Sequence, residues 1–121
     1  MKNSDWDLDL RDGEVGESVI ADLLSIDTVE VKTDRRWKET GNLYIEESCF
    51  QQSTQSWIAS GIIASKATHW AFLLEDSALI VPKSKVIRNM RKFGKATGTN
   101  IQPNPSRGYL ITPQQLIDDT N

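Results

Sequence analysis

Between Asp12 and Ser25, apolar residues recur at helical spacing: Val15, Val19, Ile20, Leu23 and Leu24. Asp12 is placed to cap the first turn. Glu14 and Glu17 put carboxylates where a helix dipole favours them, so the pattern predicts a helix. Ahead of it, Trp6, Leu8 and Leu10 alternate with Asp5, Asp7 and Asp9, as in a short edge strand or an arm over residues 1–12. From Val29 to Thr33 the period drops to two and β-branched residues dominate, which predicts a strand. Val29, Val31 and Thr33 are expected to face a core, with Glu30, Lys32 and Asp34 opposite. After the Gly41-Asn42 turn signal, "NLYIEESCF" reads as a second strand, expected to form a hairpin with the first across a long connection.

"QQSTQSW" is a polar excursion, and "IASGIIASKA" a loop with one helical turn. "HWAFLLED" and "ALIVP" are two buried strands, expected to pair across Glu75-Asp76-Ser77. From Lys83 a helix presents Val86, Ile87, Met90 and Phe93 inward and stops near Gly94. Residues 96–108 are rich in Pro, Gly and Asn and read as a loop. A last short strand follows, then a helix opened by Pro113. With no internal repeat, the order predicts one α/β domain over residues 1–121: a mixed central sheet flanked by helices.

Composition narrows the class. At 121 residues, 38% hydrophobic and 26% charged, the chain suits a single soluble core. No apolar run approaches the ~20 residues of a membrane span, and the acidic N-terminus lacks a secretory pattern. Cys49 is the single cysteine, so no internal disulfide forms and a cytoplasmic setting is expected. With the lone His69 it cannot close a zinc site, and it reads as a small buried side chain. The net charge of −3 conceals a run, "KSKVIRNMRKFGK", that holds six cations and no acid. Such a run is either a solvated helix face or a patch felt by a phosphate backbone.

The chemistry concentrates on the charged strand. Taken alone, Glu30-x-Lys32 describes any amphipathic strand. Glu17 on the preceding helix can be brought to the strand's charged side, and Asp27 stands at its entry. Carboxylates converging with a lysine suit hydrolysis of a phosphodiester. Carboxylate oxygens bind Mg²⁺, the cation acidifies a water, and the ammonium orients it or offsets developing charge.

Here the chain resembles the PD-(D/E)XK nuclease superfamily, and in particular small phage-type members that look like Holliday-junction resolvases. The resemblance rests on Gly16-Glu17, Val29 to Asp34, Thr40 to Glu46, and Ser60-Gly61 through Ser65-Lys66-Ala67 to His69-Trp70, covering about residues 12–75. It implies a restriction-endonuclease-like core and Glu17, Asp27, Glu30 and Lys32 as the catalytic set. Asp27, Glu30, Glu17 and the Val31 carbonyl would hold Mg²⁺, with Mn²⁺ as the alternative. It also implies a phage or bacterial-host cytoplasm, and a homodimer acting on branched DNA. One departure concerns Asp27, which lies three residues before Glu30, an odd spacing that puts the two on opposite faces of a straight strand. Unless the chain turns at Thr28, the third carboxylate is Asp34, Asp9 or Glu46.

Several cations are candidate DNA contacts: Arg35, Arg36 and Lys38 after the charged strand, Lys66 beside the scissile phosphate by resemblance, and Lys83, Lys85 and Arg88 on the basic helix. Trp37 reads as a packing anchor or a base-stacking ring, His69 as structural, and Asn104, Ser106 and Arg107 as an exposed loop. The expected function is a metal-dependent endodeoxyribonuclease. The alternatives are a non-catalytic nucleic-acid-binding module of the same fold, or an assembly protein whose basic helix meets an acidic partner.

Overall fold

The computed structural model describes residues 28–120. The arm expected over 1–12 and the helix expected over 12–25 lie outside the described residues. The elements are β1 (Val29–Thr33), α1 (Trp37–Thr40), β2 (Leu43–Gln51), β3 (Ser56–Ala59), α2 (Gly61–Ala64), β4 (His69–Leu73), β5 (Ala78–Pro82), α3 (Lys83–Phe93), β6 (Lys95–Thr99), β7 (Ser106–Ile111) and α4 (Pro113–Leu116). Among the described residues, no helix is long and apolar enough to cross a membrane.

The mixed α/β class is as expected, but the strands divide between two sheets. One has the order β1-β4-β5, the other β3-β2-β7-β6. In the first, β1 runs parallel to β4, and β4 pairs antiparallel with β5. The second is antiparallel throughout. The hairpin expected between β1 and β2 is therefore absent. β1 instead finds its partner about forty residues on, with Val29 opposite His69 and Lys32 opposite Phe72. The hairpin expected of β4 and β5 forms, and Leu74 N–H donates to the Ser77 carbonyl inside its turn. The segment read as a loop over 96–108 is strand at both ends: 96–99 belong to β6 and 106–108 to β7, which pair with each other.

The core lies between the inner faces of the two sheets and under α3. Leu43, Ile45, Trp70, Phe72, Val81, Val86, Met90, Ile111 and Leu116 are buried in one cluster. Val86 and Met90 are the inner stripe of α3, which touches β4 and β5 of one sheet and β7 of the other. Side chains of this size stabilise by about 1.5–3 kcal/mol each when fully buried. At the C-terminal end, α4 opens with a capping box. The Thr112 hydroxyl accepts from Gln115 N–H, and the Gln115 side chain accepts from Thr112 N–H.

The burial of β1 reverses the expectation. Val31 is 56% exposed and Thr33 is exposed, while Glu30 and Lys32 are half-buried. Alternation shows which residues share a face, not which face turns inward. Glu30 and Lys32 are the register partners of Trp70 and Phe72, so the charged face of β1 is continuous with the core.

Candidate functional site

At the rim of that core, Glu30 Oε1 stands 4.0 Å from Lys32 Nζ, with the two side chains 44% and 43% exposed. The period of a strand puts them on one side. What lies beneath them was not visible in the sequence. Lys32 Nζ sits 4.9 Å from the centre of the Trp70 ring, within the range of a cation–π contact. Trp70 is held in turn by Ser65, whose Oγ accepts from Trp70 Nε1 at 3.1 Å and from Ala67 N–H at 3.2 Å. The segment from Ser65 to Trp70 is therefore a bracket that fixes the floor under Lys32. The sequence signal was there, a serine five residues before a strand tryptophan, but nothing linked it to the lysine.

The entry to β1 is pinned to the same bracket. The Thr28 and Thr68 hydroxyls lie 2.8 Å apart, and the Thr28 carbonyl accepts from the Thr68 and His69 amides. His69 Nδ1 lies 2.9 Å from the Thr68 hydroxyl. Because Thr28 directs its carbonyl at β4, residues 30 and 32 do likewise in a parallel ladder, and the Val31 carbonyl points to the side of β1 away from β4.

Each member of the pair lines a hollow of its own. The smaller, about 300 Å³, is bounded by Glu30 and, across from it, Ser65 and Lys66. The larger, about 540 Å³, opens between the two sheets and is lined by Lys32, Arg35 and Arg36, with Tyr44, Phe72 and Leu110 as part of its apolar wall. Arg35, Arg36 and Lys66 are exposed, and among the described residues none of the three is in an ion pair. Lys38 pairs with Glu75 at 2.6 Å. Trp37 packs against the core as an anchor.

The reserve carboxylates are otherwise engaged. Asp34 accepts from Arg36 N–H through Oδ1 and from Tyr44 N–H through Oδ2, both at 2.9 Å. It therefore fastens the exit of β1 to the start of β2. Glu46 accepts from the Ser60 hydroxyl at 2.7 Å. Gly61 follows in the left-handed region at φ 50°, and a Cβ there would lie 2.1 Å from the Glu46 carbonyl oxygen. The Ser60-Gly61 motif thus locks α2 onto β2. Glu17, Asp27 and Asp9 lie outside the described residues, and among the described residues no three His, Cys, Asp or Glu side chains cluster as a metal site. What β1 does offer a hard cation is oxygen, from the Glu30 carboxylate and the Val31 carbonyl, a donor set that fits Mg²⁺ better than a softer metal.

Several cations of the basic helix have partners within the chain. Lys83 Nζ donates to the Ser65 carbonyl, Lys85 pairs with Asp119, and Lys92 Nζ donates to the Thr120 carbonyl at 2.9 Å. Arg88 Nε donates to Asn89 Oδ1 at 3.3 Å. Arg107 is not in a loop but on β7, with its guanidinium 3.8 Å from the centre of the Trp57 ring. Ser106 is buried and bonded to Tyr44 Oη and to the Thr99 hydroxyl. Burial raises the Tyr44 pKa above its ordinary value. The Ser106 hydrogen bond opposes that rise, and Glu46 and Glu47 add to it. No protein-family model matches the chain, and neither a curated protein nor a solved structure does.

Proposed function

We propose that the chain is a divalent-metal-dependent endodeoxyribonuclease with Glu30 and Lys32 at its centre. The observation that carries this reading is the pair itself. A carboxylate and an ammonium sit half-buried on the core-facing side of a strand, 4.0 Å apart, over a fixed tryptophan floor. With 44% and 43% of their side-chain surfaces open to solvent, the two charges remain within reach of a charged substrate.

Glu30 and the Val31 carbonyl would hold the cation, with Glu17 and Asp27 as the further ligands. When bound, the cation supplies an acidified water and offsets charge on the phosphoryl oxygens. Lys32 would hold its ammonium against the negative charge that develops on the phosphoryl oxygens, and Trp70 restricts where that ammonium can move. Arg35 and Arg36 take phosphates of the strand lying in the larger hollow, and Lys66 takes one on the Glu30 side. Branched DNA is the substrate proposed, and the cytoplasm the compartment.

The test is cleavage of end-labelled linear, flapped and four-way DNAs with Mg²⁺ or Mn²⁺. Lys32→Ala and Glu30→Gln are each expected to lose about 10²–10³-fold in cleavage rate while retaining DNA binding. Variants that cut as fast as the parent sink the assignment of these residues. A parent that binds DNA yet cuts none of the panel with either metal makes the fold a binding module instead.

A further inference from the structure

β3 forms one edge of the four-stranded sheet, and its four residues, Ser56-Trp57-Ile58-Ala59, are all exposed. Exposed edges are commonly guarded by lysine, proline or a bulge. β3 has none of these, and the ten residues from Gln51 to Ser60 carry no charge in a chain that is 26% charged. The opposite edge, β6, begins on Lys95 and contains Gly98. Trp57 and Ile58 remain 38% and 36% exposed, on opposite faces of the strand. Trp57 is nonetheless held in place, edge-on to Phe50 with centroids 5.7 Å apart and under the Arg107 guanidinium. A ring already ordered has little freedom left to lose on association.

The ladder fixes which backbone groups are free. Ser60 N–H donates to the Glu47 carbonyl, so Ser48 and Ala59 form a non-hydrogen-bonded pair. Alternation then turns the N–H and C=O of Ser56 and Ile58 toward β2 and those of Trp57 and Ala59 outward. Among the described residues, those outward groups face no strand.

We propose that β3 pairs antiparallel with β3 of a second copy, about a two-fold axis through Ile58, joining the two sheets into one. In this register Trp57 of each copy exchanges both backbone hydrogen bonds with Ala59 of the other, and the two Ile58 residues face each other. The side chains complement themselves: the large Trp57 ring lies against the small Ala59, Ile58 against Ile58, and Ser56 against Ser60. The absence of charge favours a second identical copy over nucleic acid as the occupant. Arg107, the cation that reaches β3 among the described residues, is already stacked on Trp57. The inference stands whether or not the chain cleaves DNA.

The experiment uses the full chain. Facing non-hydrogen-bonded residues have Cα atoms about 4.5 Å apart, within reach of a disulfide. Cys49 is the register partner of Ile58 on β2, so it is first changed to Ser. In the Cys49→Ser background, Ile58→Cys is expected to cross-link into a covalent dimer under mild oxidation. Ser56→Cys, facing Ser60 of the other copy, is expected not to. Sedimentation of the parent should show a dimer that Ala59→Pro converts to a folded monomer, because that change removes an outward N–H and spares the β2 ladder. Three results overturn the proposal. One is a parent that is monomeric across the concentration range. Another is cross-linking through position 56 rather than 58. The last is a monomer whose Trp57 and Ala59 amides resist hydrogen exchange, which assigns the edge to the chain's own residues 1–27.

Discussion

Two regions of this molecule are rich in cations, and they differ in what those cations are doing. The sequence draws the eye to the run from Lys83 to Lys95, whose six basic residues include five on α3. There three of the lysines are already committed. Lys83 holds the Ser65 carbonyl, Lys85 holds Asp119, and Lys92 holds the Thr120 carbonyl. Between them the buried Asn89 donates from Nδ2 to the Leu116 and Asp118 carbonyls at 2.8 and 2.9 Å. The helix is a clasp for the C-terminal segment. The region from β1 to α1 has fewer cations, but Lys32, Arg35 and Arg36 line an open hollow, and Lys66 stands across from Glu30. A count of charges measures what a segment carries. Only the packing shows how much of it is free to meet a ligand.

The sharpest way to break this contrast is through Asn89. Asn89→Ala leaves two carbonyls without their donor in a place the asparagine fills completely, since its own exposure is 0%. Loss of a buried partner costs about 1–3 kcal/mol for each group left behind, so a drop of about 3 kcal/mol in unfolding free energy is expected. Chemical denaturation measures it. DNA affinity should move little, because no cation of the β1–α1 region is touched. A variant that unfolds like the parent shows that α3 does not clasp the tail.

Next in size is the converse experiment. Replacing Arg35 and Arg36 together by Ala should leave stability within about 0.5 kcal/mol, as expected of exposed side chains. It should lower affinity for DNA by about 10-fold or more, and reduce the slope of log affinity against log salt by about 2. Lys83→Ala with Lys85→Ala should do the reverse, changing the salt slope by less than 1 while costing stability. Equal slopes for the two double variants abolish the distinction between committed and free cations.

How far the sequence reveals this arrangement depends on whether the information is local. The α3 stripe, the β4–β5 hairpin and the Thr112–Pro113 helix start are written in adjacent residues, and all three form. The partner of β1 is not written there. A parallel ladder joins segments that no turn connects, so nothing near Val29 announces His69. β6 was hidden for another reason. "KATGT" has no bulky side chain, and its backbone pairing with β7 does the holding. At the site, the strand period sufficed to put Glu30 beside Lys32. The inward turn of that charged face, and the tryptophan beneath the lysine, depend on which side of β1 meets the core.

A smaller effect separates the regions at the ion pair of Lys85 with Asp119, whose carboxylate side is 86% exposed. Exposed pairs contribute about 0–1 kcal/mol, so Asp119→Ala should cost less than 1 kcal/mol and lose even that at high salt. The tail is thus held by Asn89 and by backbone acceptors more than by charge. If Asp119→Ala destabilises as much as Asn89→Ala, the clasp is electrostatic instead.

The smallest effect is expected where the free region meets its wall, at Tyr44. Its hydroxyl lies 2.8 Å from Ser106 Oγ, and its pKa stands above 10.0, raised first by burial. The folded protein therefore holds the phenolic proton more tightly than the unfolded chain does. That contribution is fully present below the unfolded pKa and is lost as pH rises through the higher folded value. Stability of the parent should be level with respect to this group up to about pH 9, then fall above about pH 10. Tyr44→Phe removes that alkaline component. At neutral pH it costs about 1 kcal/mol or less, because Ser106 keeps its bond to Thr99 at 2.9 Å. Denaturation midpoints of the two proteins across that range provide the measurement. Parallel alkaline limbs rule out Tyr44 as the group responsible, and leave the wall of the hollow held by its apolar contacts alone.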